Sequence, residues 1–185
     1  GASQVNVEDV QAALSRFEGV PLARVQEGDV HRALEPFPLI QRYSIERIPP
    51  HTLVVRIEER DAVIAVEADG GFDLLDPAGV LVATAAERPL GVPLGGSAAA
   101  NPSTPAFEAA GKVIRDLPQD IRELLASVSA TSAQDVTFTL TTGAEVIWCE
   151  AVEAQRKAIV LRSMLAAVGA VSLIDVSAPG APVFQ

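Results

Sequence analysis

The chain has 185 residues, with 14 Lys+Arg against 24 Asp+Glu and a formal net charge of −10. Hydrophobic residues make up 49% of it, too many for intrinsic disorder. At this length roughly 70% of the unfolded surface can be buried, so a packed fold needs no metal or disulfide support. The acidic balance excludes nucleic-acid binding as the main activity, since counterion release needs clustered Lys and Arg. The charge is also unevenly spread. Residues 1–60 hold nine acidic and seven basic side chains (net −2), and residues 61–185 hold fifteen and seven (net −8). That asymmetry predicts two units with different surfaces.

Cys149 is the single cysteine, so no intrachain disulfide or thiolate cluster can form. No amino-terminal signal peptide is visible. The most membrane-like stretch, 158–174, carries Arg162, Ser163, Gly169 and Ser172, and falls short of the ~20 apolar residues of a spanning helix. It reads instead as an amphipathic helix followed by a core strand.

In chain order, Asn6 caps a first helix with Glu8 and Asp9 in its first turn, where acids suit the helix dipole. Val7, Val10, Leu14 and Phe17 fall on one face, and Gly19 stops it. Asp29 is predicted to cap a shorter helix containing Val30, Ala33 and Leu34, ended by Pro36 and Pro38. Tyr43 and Ile45 then alternate with polar neighbours, Pro49-Pro50 turns the chain, and Leu53, Val55 and Ile57 give a second, antiparallel strand. Two strands alone are marginal in water. A preceding strand is therefore expected to be missing, or its place to be filled by another element.

Residues 61–185 read as strand-rich. Ala62 to Val66 is a short apolar run, and Phe72 to Leu75 and Val80 to Val82 flank the turn Asp76-Pro77-Ala78-Gly79. Residues 83–105, rich in Ala, Gly, Pro and Ser, are expected to form a long surface connection. A helix is predicted from Phe107 to about Leu117 and a shorter one around Asp120 to Leu125. Strands follow at Val136–Leu140 and Glu145–Cys149. Glu150 to Val168 is predicted helical, with Ala158, Leu161, Leu165 and Val168 on one stripe and a Glu153–Lys157 pair worth ~0.3 kcal/mol. Val171 to Val176 is the last strand, stopped by Pro179 and Gly180.

Chemistry finds little footing. His31 and His51 are not paired with other metal ligands, and Gly95-Gly96-Ser97 lacks the context of a nucleophile elbow. Glu58 and Glu59 point to opposite faces of a strand. Asp73 and Asp76 flank a hairpin as turn formers, and Cys149 beside Trp148 reads as a buried packing residue. A ligand pocket would have to enclose Asp73, Asp76 or His51. What remains is binding by strand addition at a free sheet edge.

The order of motifs resembles the extracytoplasmic region of the FtsQ/DivIB family of bacterial cell-division proteins, in the version found in high-GC Gram-positive bacteria. Asn6-Val7-Glu8-Asp9-Val10 with Gly19-Val20-Pro21-Leu22, then Val30 to Leu34 and Pro38-Leu39-Ile40, resemble the helices of its POTRA domain. Ile45 to Leu53 and Val55-Arg56-Ile57-Glu58-Glu59-Arg60 resemble its hairpin. Leu75 to Val80, Val136 to Leu140 with Gly143, Lys157 with Leu161, and Ile174-Asp175-Val176-Ser177-Ala178-Pro179 resemble the β domain. Ile48 stands where many members have Trp, and Asp61 where Pro is common.

The resemblance implies an α+β fold: a small POTRA domain over 1–60, two helices on a short sheet with its first strand truncated and Gly1 at that strand's end. A β domain of antiparallel-rich sheet with packed helices follows over 61–185. It also implies a cytoplasmic tail and a single membrane helix that this sequence does not contain. The implied protein sits in the cell membrane at the division septum with this region on the extracytoplasmic side.

The implied function is a non-enzymatic, cofactor-free scaffold of the division complex, linking FtsB-like and FtsL-like coiled-coil proteins and septal peptidoglycan synthase components. The implied partner-binding residues are Asp175, Val176, Ser177, Ala178, Pro179 and Val183. Relatives carry a long basic residue and an aromatic where Ser177 and Ala178 stand, so the docking geometry carries over without those side-chain contacts. A POTRA-type docking module for secretion or outer-membrane assembly is the alternative, although such proteins carry repeated POTRA units.

Overall fold

A computed structural model describes residues 5–167 and 171–185. The chain divides into two compact units, Gly1–Arg60 and Asp61–Gln185.

In the first unit, helix α1 (Val7–Leu14) begins where the Asn6 side chain accepts from the Glu8 amide at 2.9 Å, with Glu8 and Asp9 in the first turn. Helix α2 (Glu27–Leu34) starts two residues before the expected cap. Asp29 lies inside its first turn and pairs with Arg32 one turn on, while Gln26 occupies the cap position without a side-chain bond. Acids at Glu27 and Asp29 favour the dipole's positive end from within the helix, so no capping side chain is needed.

Strands β1 (Ile40–Ile48) and β2 (Thr52–Glu59) pair antiparallel, with Tyr43 opposite Ile57 and Ile45 opposite Val55. These residues pack against Val10, Val30 and Leu34 of the helices. The outward positions carry ion pairs Arg42–Glu58 and Arg56–Glu46. The expectation about Gly1 lies outside the described residues.

The second unit is built on a nine-stranded sheet. Its strands are β3 (Ile64–Ala68), β4 (Gly71–Leu75), β5 (Leu81–Ala85), β6 (Leu94–Ser97), β7 (Leu125–Ala130), β8 (Val136–Leu140), β9 (Glu145–Cys149), β10 (Leu173–Asp175) and β11 (Val183–Phe184). Their order is β11-β10-β9-β8-β7-β6-β3-β4-β5. Most neighbours are antiparallel; β3–β6, β6–β7 and β9–β10 are parallel. Helices α3 (Pro105–Asp116) and α4 (Gln119–Arg122) cross from β6 to β7, and α5 (Ala154–Ala167) crosses from β9 to β10. Parallel neighbours require such crossovers.

Thr104 caps α3 by accepting from the Phe107 amide at 3.1 Å, with Pro105 in the first turn, where a missing N–H costs nothing. Phe107, Val113 and Ile114 of α3 and Leu161 of α5 are buried on one sheet face against Val128, Phe138, Val146, Trp148 and Ile174.

Three strands depart from the sequence reading. Residues 83–105 are not one surface connection. They contain the end of β5, the interior strand β6 and a 3-10 turn at Ala98–Ala100. Leu94-Gly95-Gly96-Ser97 lacks the β-branched residues that advertise a strand, because the turn that follows packs directly over it. A Cβ on Gly95 would stand 2.6 Å from the Ala99 carbonyl oxygen and 2.9 Å from the Ile64 side chain. Strand β7 opens at Leu125, where the second short helix was expected to end; its small residues hide its alternation. The chain also continues past β10 into β11, two residues that pair antiparallel with it.

Helix α5 begins at Ala154 rather than Glu150, and the predicted stripe member Val168 lies outside the described residues. Among the described residues, no helix is long and apolar enough to cross a membrane.

Candidate functional site: the carboxy-terminal sheet edge

Strand β10 is held on its inner side by β9. Ile174 stands level with Val146, and the Val176 amide donates to the Ile147 carbonyl at 3.0 Å. Its outer side is taken by β11. Gln185 and Leu173 exchange both backbone bonds, at 3.0 and 3.2 Å, and Asp175 stands opposite Val183. In an antiparallel ladder bonded and non-bonded pairs alternate. Ile174 and Phe184 therefore form the non-bonded pair, and the N–H and C=O of Phe184 point away from β10. That outward peptide pair is the free hydrogen-bonding edge at this end of the sheet. Val183 and Phe184 are each 54% exposed.

The six residues read from the sequence fall in different places along this corner. Val183 is on the edge strand. Asp175 has its backbone already paired with β11, and its Oδ1 accepts from the Ser177 amide at 2.8 Å. Val176 is 0% exposed and belongs to the core. Ala178 closes the turn between the strands, its carbonyl accepting from Ala181 at 2.9 Å, and Pro179 lies within that turn. Ser177 is half-buried and lines a groove of about 420 Å³ with Cys149, Glu150 and Lys157. Phe184, the residue whose peptide faces outward, is absent from the sequence-based set. Its signal is the hairpin pattern of two apolar runs, Leu173–Val176 and Val183–Phe184, around Pro179-Gly180.

The corner is braced from below by Lys157, which is only 3% exposed. It does not pair with Glu153 as expected; Glu153 takes Arg156 instead. Burial pushes the Lys157 ammonium below the usual lysine range, opposed by the charges of Cys149, Glu150, Glu153 and Asp175. Cys149 is half-buried rather than buried, and sits at a φ of 63° where the chain leaves β9.

Of the carboxylates weighed for chemistry, Asp76 is structural and Glu58 is an exposed ion-pair partner of Arg42. Asp76 is fully buried and accepts from the amides of Ala78 and Val80 at 2.9 and 2.8 Å, holding the β4–β5 turn. His51 is exposed in the β1–β2 turn. Among the described residues, no three His, Cys, Asp or Glu side chains are grouped to hold a metal ion.

Two helices on a short hairpin in the first unit, and a large mixed sheet with an open terminal edge in the second, define an α+β protein. The family model "POTRA domain, FtsQ-type" matches residues 1–60. Proteins called "Cell division protein FtsQ" are similar over nearly the whole chain. The one from Streptomyces bingchenggensis is 34% identical over 190 residues, covering 98% of this chain and 72% of the relative. That from Streptomyces venezuelae is 32% identical, covering 98% and 70%. That from Mycolicibacterium smegmatis is 30% identical, covering 98% of this chain and 54% of its own length. The chain belongs to the FtsQ family of cell-division proteins, and its role is in division.

Proposed function

We propose that this chain is a non-enzymatic scaffold of the division complex that receives a partner strand at the β11 edge. On this reading residues 1–60 are the POTRA domain and 61–185 the β domain, held at the septum on the extracytoplasmic side by a single membrane helix. FtsB-like and FtsL-like coiled-coil proteins are its partners, together with septal peptidoglycan synthase components. The observation that carries the reading is the outward-facing peptide of Phe184, flanked by the exposed side chains of Val183 and Phe184. An added strand gains main-chain hydrogen bonds there and covers both side chains.

The test is a calorimetric titration with the extracytoplasmic segment of the FtsB-like protein from the same organism. Phe184→Pro removes the outward N–H without touching the β10 ladder. Binding is expected to vanish in this variant with its melting curve unchanged. Unchanged affinity in Phe184→Pro places the partner elsewhere. Val176→Pro is unsuitable, because it breaks the bond to Ile147 inside the core and unfolds β10 itself.

A further inference from the structure

Among the described residues, no strand of the nine-stranded sheet carries a Lys or Arg. The charged side chains on its strands are Glu67, Asp73, Glu145 and Asp175, all carboxylates. The seven basic residues of 61–185 lie on α3, α4 and α5, apart from Arg88 in the β5–β6 connection. Strand alternation then sorts the faces near the open edge. Val146, Trp148 and Ile174 point into the helix-covered core. Their neighbours Glu145, Ile147, Leu173, Asp175 and Val183 share the other face.

On that face Glu145 stands level with Leu173, and Ile147, Asp175 and Val183 form one row across three strands. Further in, Thr139 and Thr137 continue the same rows. The face next to the edge is thus a patch of half-exposed aliphatic and hydroxyl groups whose strand residues carry negative charge alone; the one cation that feels Asp175 among those described there is Lys157, which is buried and bound to the Trp148 and Glu150 carbonyls. Natural sheets guard their edges with charged side chains, Lys above all; β11 has none.

We propose that this face selects the strand it receives, and that the partner is a basic alternating β-segment. This rests on the reading that a strand adds at β11, and it specifies that strand's chemistry. A strand beyond β11 lies about 4.8 Å farther out, so a Lys or Arg on its open-face side reaches across Val183 to the Asp175 carboxylate. Glu145 on β9, three strand spacings or about 14 Å from the added strand, adds a longer-range attraction that acts at low salt and is largely screened at about 0.1 M. An acidic strand at the same edge gains the same backbone bonds and meets only like charge.

Two synthetic ten-residue strands provide the probes, one alternating Val and Lys, the other Val and Glu. Each is titrated into the isotopically labelled 185-residue chain and followed by amide NMR. The lysine strand is expected to shift the amides of Val183, Phe184 and Leu173–Asp175, and to bind about tenfold more tightly than the glutamate strand at low salt. That preference falls to about twofold or less at high salt, and likewise in Asp175→Asn/Glu145→Gln, where Asn keeps the acceptor for Ser177. Glu145→Lys alone, at an exposed position, shifts the preference toward the glutamate strand. Equal binding of the two strands, tighter binding of the glutamate strand, no binding of either, or shifts confined to another surface overturns the inference. If Phe184→Pro still abolishes binding of the FtsB-like segment, the strand-addition reading stands and only the basic preference is lost. If it does not, both fall.

Discussion

The ammonium of Lys157 donates to the Trp148 carbonyl at 2.8 Å and stands 5.8 Å from the centre of the same residue's indole ring. A second bond, 2.9 Å to the Glu150 carbonyl, completes a staple between the end of β9 and the first turns of α5. The lysine thus satisfies two carbonyls on either side of the sharp exit at Cys149.

Lys157→Met keeps the length of the side chain and removes the staple. It is expected to destabilise the second unit by about 1–3 kcal/mol, as orphaned buried carbonyls do. The loss has a pH signature. Because burial lowers the folded-state pKa below 10.5, the unfolded chain binds the proton more tightly in the interval just beneath that value. Wild-type stability relative to Lys157→Met therefore grows as pH rises through that interval, and is smaller at neutral pH. Urea midpoints of both proteins at pH 7 and pH 10 measure it; a gap that stays constant or narrows contradicts the assignment.

Asp76 should be equally sensitive, for the opposite kind of group. Asp76→Ala removes the buried acceptor of the Ala78 and Val80 amides in a part-buried turn, at a cost of about 1–2 kcal/mol. Asp76→Asn retains an acceptor oxygen and should lose less. Thermal denaturation of the two variants gives the ranking, and an Asn variant no better than Ala would show that the charge itself matters.

Much of the architecture is written in residue order, and the exceptions have physical causes. Alternation in Tyr43–Ile45, Leu53–Ile57 and Val136–Leu140 marks β1, β2 and β8 directly, because each has one wet and one dry face. Strand β6 is silent since its interior position depends on a close approach that only glycine permits. Strand β11 is too short for any periodic signal, so the sequence reading reaches Val183 on that strand but otherwise points to the residues before the turn and misses Phe184. Lys157 reads as a surface ion pair because spacing reveals its neighbours along the helix, and not the carbonyls beneath it.

Glycines separate helix propensity from packing. Gly111 lies in the middle of α3, where Ala would favour the helix by about 1 kcal/mol. A Cβ there meets the Pro77 Cα at 2.8 Å, so Gly111→Ala is expected to destabilise by about 1–3 kcal/mol. Gly28 in α2 has open space around it, and Gly28→Ala should stabilise the first unit by about 0.4–1 kcal/mol. Opposite signs in the two melting temperatures confirm the contrast; a stabilised Gly111→Ala would mean that Pro77 yields.

Arg162 holds Asp120 with two bonds of 2.7 Å, tying α5 to α4 and keeping the Asp120 carboxyl below the usual range. Both side chains remain about half exposed, so their coupling in a double-mutant cycle should stay in the weak range of solvent-exposed ion pairs and shrink with added salt. A salt-independent coupling well above that would mark the pair as a structural tie.

The outermost strand is held to the sheet by only a few peptide groups. Hydrogen exchange should therefore divide β10 along its length. The amides of Leu173 and Asp175, which face β11, are released by local fraying of the last residues, whereas Val176, bonded inward to Ile147, waits for a much larger opening. The terminal strip is thus a landing step of two residues, and on the proposed reading a partner with a longer strand extends the sheet beside it.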